Sequence, residues 1–222
     1  MYAVIFDLDG VIVSTDELHY SAWKVIADAA GIPFDRTINQ RLRGVSRERS
    51  LEIVLEGARR AFSERERASL CAQKNQLYVR SLQTLGPQSL LRGVARLLDE
   101  LRGAGIRCAI ASSSRNAATI VDRLELNECF AAVVGGGNVA RTKPAPDLML
   151  EAARLLGGAP GDCVVIEDAA SGIAAAHAAG MAVVGVGQSE ELRCADLVVE
   201  SLEHLGVPEL VRLAPARPTP AR

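Results

Sequence analysis

Aromatic residues are scarce in this chain of 222 residues, which holds four Phe, three Tyr and one Trp. A core built on stacked rings is excluded, and aliphatic side chains must fill the interior. An excess of either charge is also missing. Twenty-five Lys and Arg stand against 27 Asp and Glu, a formal net charge of −2, so the broad basic field of a dedicated nucleic-acid binder is absent. No apolar run approaches the roughly 18–20 residues that span a bilayer. The opening MYAVIFDLDG has no basic stretch and reaches two Asp by residue 9, unlike a secretory signal. The five cysteines (Cys71, Cys108, Cys129, Cys163, Cys194) are odd in number, lack CxxC spacing and have no histidine at metal-ligand distance, which argues against a zinc site. Reduced, structural thiols in a cytoplasmic protein are expected. What remains, 49% hydrophobic and 23% charged residues, is an ordinary globular composition.

Short aliphatic runs alternate with helical patterns. The candidate strands are Tyr2–Phe6, Ile106–Ala111, Ala131–Val134, Cys163–Ile166, Ala182–Val186 and Leu197–Val199. Most are continuous, as expected of strands buried on both faces. Helices with apolar residues at i, i+3, i+4 are expected over Gly93–Arg102, Asn116–Leu124, Pro146–Leu156 and Ser171–Ala179. The order implies an α/β core, a parallel sheet flanked by helices, with its site outside the carboxyl ends of the strands. From Thr15 to Leu85 the pattern is helical throughout, with helices expected at Leu18–Ala30, Arg49–Ala61 and Glu64–Leu82. Residues 15–85 therefore read as an inserted α-helical domain and residues 1–14 with 86–213 as the discontinuous core. The Pro-rich residues 214–222 are expected to be a disordered tail.

The first run ends in Asp7-Leu8-Asp9-Gly10. Residues i and i+2 of a strand point the same way, so both carboxylates converge where a site belongs; alternatively, the run is a polar strand end with a glycine turn. After the second run, Ser112, Ser113, Ser114, Arg115 and Asn116 offer hydroxyls and a helix start. They read either as an anion cradle or as simple capping. Lys143 is held by Pro144 and Pro146 before a helix, and Cys163–Ile166 runs into Glu167-Asp168. Acids at two strand ends, with Ser and Lys at two others, form one constellation, and its hard oxygen donors suit Mg²⁺.

These four ordered motifs resemble the signature of the haloacid dehalogenase superfamily, and a helical insert directly after the first is similar to its small-cap subgroup. The resemblance implies a Rossmann-like core with a four- or five-helix cap. Dehalogenases of the superfamily carry one Asp in the first motif, so Asp9 argues for phosphoryl transfer. In the cap, Arg43-Gly44-Val45-Ser46-Arg47-Glu48, Lys74-Asn75 and Tyr78, together with Thr15, His19 and Trp23, resemble the branch that moves a phosphate between two hydroxyls of β-glucose. Two departures stand out: glycines 135–137 where an acid is typical, and Arg115 where a lysine is common.

The resemblance implies Asp7 as nucleophile and Asp9 as general acid and base. Mg²⁺ would be held by Asp7, the Asp9 main-chain carbonyl, Asp168 and Glu167. Ser112 and Lys143 would hold the transferring phosphoryl. Arg47, helped by Ser114, Arg115 and Asn116, would grip the second, non-transferring phosphate, and Arg43, Ser46 and Ser113 are further candidate phosphate- or substrate-binding residues. His19, Trp23, Lys74, Gly44 and Val45 would face the sugar, and Thr15 would couple cap position to Asp9. Trp23 reads equally as core, and His19 as a surface residue. The rivals are a phosphatase using the same residues and, from another class, a non-catalytic ligand-binding module. The expected partner is a small sugar phosphate, with no nucleic acid, membrane or second subunit.

Overall fold

The computed structural model describes residues 3–42 and 44–214. Tyr2, Arg43 and the expected disordered tail beyond Ala214 lie outside the described residues. Six parallel strands, β1 (Ala3–Phe6), β2 (Arg107–Ala111), β3 (Ala132–Val134), β4 (Cys163–Glu167), β5 (Ala182–Val186) and β6 (Leu197–Val199), form one sheet in the order β3-β2-β1-β4-β5-β6. Every residue of β1 is fully buried. Its alternate side chains feed two cores: Val4 and Phe6 pack with α5 (Val94–Gly103) and α6 (Ala117–Arg123), whereas Ala3 and Ile5 pack with α7 (Asp147–Leu156) and α8 (Ala170–Ala178). A strand covered on both faces has no use for a polar position, which is why its sequence is an unbroken apolar run. β1 pairs with β2 on one side and β4 on the other. The strand order turns there, opening the crevice in which ligands of such sheets bind.

Between β1 and α5 lie α1 (Asp16–Ala29), α2 (Arg36–Gln40), α3 (Arg47–Leu55) and α4 (Glu64–Ser81). They form their own apolar cluster around Trp23, Ile26, Phe34, Leu51 and Val54. The two chain crossings between this helical insert and the core are stitched together: Val13 bridges antiparallel to Leu90, and Leu91 N–H donates to the Ile12 carbonyl at 2.9 Å.

The expected elements differ from these mainly at their ends. The helix expected at Arg49–Ala61 starts two residues earlier, where the Ser46 hydroxyl accepts from Arg49 N–H at 3.2 Å, and stops at Leu55. Gly57 follows, and Arg59-Arg60 offers no apolar side chain to carry the stripe onward. Helix α2 was not expected; at five residues it is too short to show periodicity, and it rests on Asp35, whose side chain caps Ile38 N–H at 2.9 Å. A final helix, α9 (Val207–Leu213), also escaped the pattern because Pro208 in its first turn reads as a breaker but is tolerated there. Among the described residues no helix is long and apolar enough to cross a membrane.

Candidate active site

Asp7 follows the last residue of β1, and its N–H donates to the Ile166 carbonyl at 2.9 Å. The ladder between β1 and β4 thus continues one step and sets Asp7 beside Glu167. Lys143 reaches into this gap and donates to both carboxylates. All three side chains are nearly sealed from solvent: Lys143 and Glu167 are each 1% exposed and Asp7 is 8% exposed. Burial pushes Glu167 up to about 7. Burial alone would lower Lys143, yet Asp7 and Glu167 outweigh it and hold the ammonium above its ordinary range.

Asp7, Glu167 and Asp168 each offer an oxygen within 4.8 Å of the others, a set of hard donors that fits a small divalent cation. The Lys143 ammonium contacts two of these carboxylates, Asp7 and Glu167. Glycine keeps the cluster in place. A Cβ at Gly10, whose φ is +93°, would stand 1.9 Å from an Asp168 oxygen, and one at Gly172 would stand 1.8 Å from a Glu167 oxygen. The Asp9 carboxylate is outside this set; it accepts from the Thr15 hydroxyl, so only its main-chain carbonyl remains for the metal role expected of it. Burial, and next the charge of Asp7, push Asp9 up to about 6. Thr15 in turn accepts from the buried Tyr78 hydroxyl at 3.2 Å.

These groups open into a cavity of about 490 Å³, whose walls combine the strand ends of the core with α1, α3 and α4, a size typical of small-molecule sites. Every expected site residue that the structure describes lines it, except Glu167, which sits behind Lys143. Arg43 lies outside the described residues. Ser112, Ser113, Ser114, Arg115 and Asn116 form the loop after β2. The Ser112 and Ser114 hydroxyls accept from Ser114 and Asn116 N–H at 3.1 Å each, turning the loop ahead of α6 rather than capping it, and the loop lines the cavity. Two of the three unexpected glycines have a steric reason, since a Cβ at Gly136 would meet the Ser113 carbonyl oxygen at 2.3 Å and one at Gly135 the Ser114 carbonyl oxygen at 2.8 Å, whereas Gly137 faces open space.

His19 is no surface residue. Its Nδ1 lies 2.7 Å from Lys74 Nζ and its ring 4.1 Å from that of Tyr78. Burial, then Lys74 and Arg47, push His19 well below its ordinary value, so the ring is neutral. Burial and Arg47 also bring Lys74 down to about 7. Trp23 is core, 1% exposed within the insert's apolar cluster, and it also lines the cavity beneath Lys74. Among the described residues, four polar contacts join insert and core at the cavity mouth. The Gly44 carbonyl accepts from Ser113 and Ser171 hydroxyls, both at 3.3 Å. Arg115 pairs with Glu48 at 3.1 Å, and Asn116 donates to Asn75 at 3.1 Å. Glu48, Asn75 and Tyr78 were given no role from sequence, because none of them carries a signal apart from its neighbours.

A carboxylate at a strand end, a second acid two residues on, a buried lysine and an acidic cluster under a helical insert define the haloacid dehalogenase class. The sequence model of the haloacid dehalogenase-like hydrolases matches residues 1–180, and the chain belongs to that family. It is 47% identical over 207 residues to β-phosphoglucomutase of Bacillus subtilis, covering 92% of each chain. The crystal structure of β-phosphoglucomutase from Clostridium difficile superposes with a TM-score of 0.91 at 35% identity, covering 96% of this chain and 97% of that one. Fructose-1-phosphate phosphatase YqaB of Escherichia coli is 33% identical, over 82% of this chain and 95% of its own.

Proposed function

We propose that the protein is a Mg²⁺-dependent β-phosphoglucomutase, interconverting β-glucose 1-phosphate and glucose 6-phosphate through an aspartyl phosphate and glucose 1,6-bisphosphate. One observation carries this reading. The cavity has two separate sets of anion donors, Lys143 and Ser112 beside Asp7, and Arg47, Arg115 and Asn116 between insert and core. A substrate with a phosphate at each end suits both, and the similarity to the Bacillus subtilis enzyme agrees with it.

The Asp7 carboxylate attacks phosphorus, and the bond from phosphorus to the sugar oxygen breaks as the aspartyl phosphate forms. Asp9 protonates the departing oxygen and, in the reverse half, takes the proton of the incoming hydroxyl; a pKa near 6 leaves both forms accessible near neutrality. Lys143 and Ser112 hold the phosphoryl oxygens while Arg47, Ser114, Arg115 and Asn116 hold the phosphate that stays. His19, Trp23, Lys74, Gly44 and Val45 face the ring. The phosphoenzyme gives its phosphate to the 6-hydroxyl of β-glucose 1-phosphate, the bisphosphate turns round, and its 1-phosphate returns to Asp7. Asp7, Asp168 and Glu167, with the Asp9 carbonyl, would hold Mg²⁺, which would supply positive charge that lessens repulsion between nucleophile and phosphate. The proposed setting is a cytoplasmic monomer acting on a small anionic sugar.

The competing reading is a phosphatase, favoured by the relative YqaB, with water as the acceptor. Incubating Mg²⁺-loaded protein with β-glucose 1-phosphate and a trace of glucose 1,6-bisphosphate decides between them. Glucose 6-phosphate in excess over free phosphate is expected; predominant free phosphate transfers the case to the phosphatase.

A further inference from the structure

Asn75 lies on α4, one residue after Lys74. It is half-buried and stands behind the cavity wall, whereas Arg47 and Asn116 are in that wall. Its Oδ1 accepts two hydrogen bonds, one from Arg47 Nη2 at 2.8 Å and one from Asn116 Nδ2 at 3.1 Å. A single oxygen therefore joins α3, α4 and the core loop after β2, and it is the point where the insert's arginine and the core's asparagine are brought to a common spacing.

The chemistry of that oxygen matters. An amide carbonyl fixes the direction of its donors but carries no net charge, so the guanidinium keeps its full attraction for an anion. A guanidinium has five N–H donors, and one bond to Asn75 leaves others for a phosphate. Arg115 differs, since its partner is the carboxylate of Glu48; that pair is solvent-exposed and contributes little.

We propose that Asn75 is a positioning residue that sets Arg47 and Asn116 at the spacing needed to grip one phosphate, without cancelling the charge that attracts it. The gripped group is the non-transferring phosphate, so the inference rests on the mutase reading. Because Asn75 acts only through these two donors, it matters for a substrate that bears a second anion and not for one that bears only the phosphate being transferred.

The test compares Asn75→Ala and Asn75→Asp with wild type on two substrates, β-glucose 1-phosphate with glucose 1,6-bisphosphate, and p-nitrophenyl phosphate. In Asn75→Ala the KM for the sugar phosphate rises about tenfold, the scale of one charge-assisted hydrogen bond, with kcat changing less. The loss in kcat/KM is about tenfold larger for the sugar phosphate than for p-nitrophenyl phosphate. Asn75→Asp keeps the shape and adds a negative charge beside Arg47, so its KM for the sugar phosphate rises at least as much. Equal losses on both substrates in Asn75→Ala overturn the proposal, as does an Asn75→Asp enzyme that binds the sugar phosphate as tightly as wild type. Asn75→Asp decides the matter if Asn75→Ala does not fold. A wild-type enzyme that releases mainly free phosphate instead overturns the mutase reading beneath it, an outcome read before any variant is made.

Discussion

Lys143→Met removes the one ammonium between Asp7 and Glu167 and leaves a side chain of similar length. Both carboxylates and the lysine are almost wholly sequestered, at 8%, 1% and 1% exposure, so water cannot replace the lost charge. Taking one partner from a buried ion pair costs about 3–5 kcal/mol. For a chain of this length each kcal/mol moves the melting midpoint by about 2–4 °C, which places the expected drop at about 10 °C. Proton linkage gives the pH dependence. Glu167 has a folded-state value near 7, raised above its ordinary 4.5, so its protonated form favours the fold. Stability from this group is complete below the unfolded value and is lost as pH rises through the folded value. Without Lys143 the carboxylate is raised further, and the variant's deficit is largest at pH 8 and smaller at pH 5.5, where Glu167 takes up a proton. Urea unfolding of both proteins at the two pH values, with a chelator present to keep divalent ions out of the cluster, measures the difference while common acid effects cancel. Equal stability at pH 8, or a deficit that grows towards pH 5.5, refutes the reasoning.

Three further outcomes are expected. Because Asp9 sits near 6 and must be ionised to accept a proton, kcat/KM for β-glucose 1-phosphate should fall below about pH 6; a profile flat down to pH 4 contradicts that assignment. Thr15→Val takes the hydroxyl from both Asp9 and Tyr78, and misplacing the general acid should lower kcat by about 10–100-fold with KM little changed, as steady-state kinetics will show. Gly44→Ala puts a Cβ 2.5 Å from the Ser171 hydroxyl at a φ of +69°. The left-handed conformation alone costs about 1–2 kcal/mol, and a KM raised about tenfold is expected; an unchanged KM would show that the Gly44 contacts do not matter to binding.

The core was legible because its signals are one-dimensional. Strands buried on both faces demand unbroken aliphatic runs such as Cys163–Ile166, and acids that end them, such as Asp7 and Glu167, have no packing reason to be there. Positions along the chain therefore announced the reacting end of the cavity. The insert was harder to read. Arg47 and Lys74 could be placed by their resemblance to a family, but the bond from Asn75 to Asn116 spans 41 residues and that from Arg115 to Glu48 spans 67. Neither partner of such a pair looks unusual alone. Helix α2 was missed for a different reason, since one and a half turns held by an Asp35 cap leave no periodic trace. Trp23 had two readings because a side chain that large can be core on one face and cavity wall on the other.

The stitch between Val13 and Leu90, with Leu91 bound to Ile12, bears on how the helical insert can swing. Two separate flexible tethers would let it drift, tumble and slide, and each closure would have to remove all of that freedom. Tethers fastened side by side act as a door hinge and restrict the insert to one principal rotation, so closure orders a single coordinate. Thr15 lies just beyond the fastened strand and Asp9 just before it, on opposite leaves of that hinge. Their hydrogen bond crosses the fastened segment, and the same hydroxyl accepts from Tyr78 of the insert, so a rotation about that hinge would pull on both contacts at once.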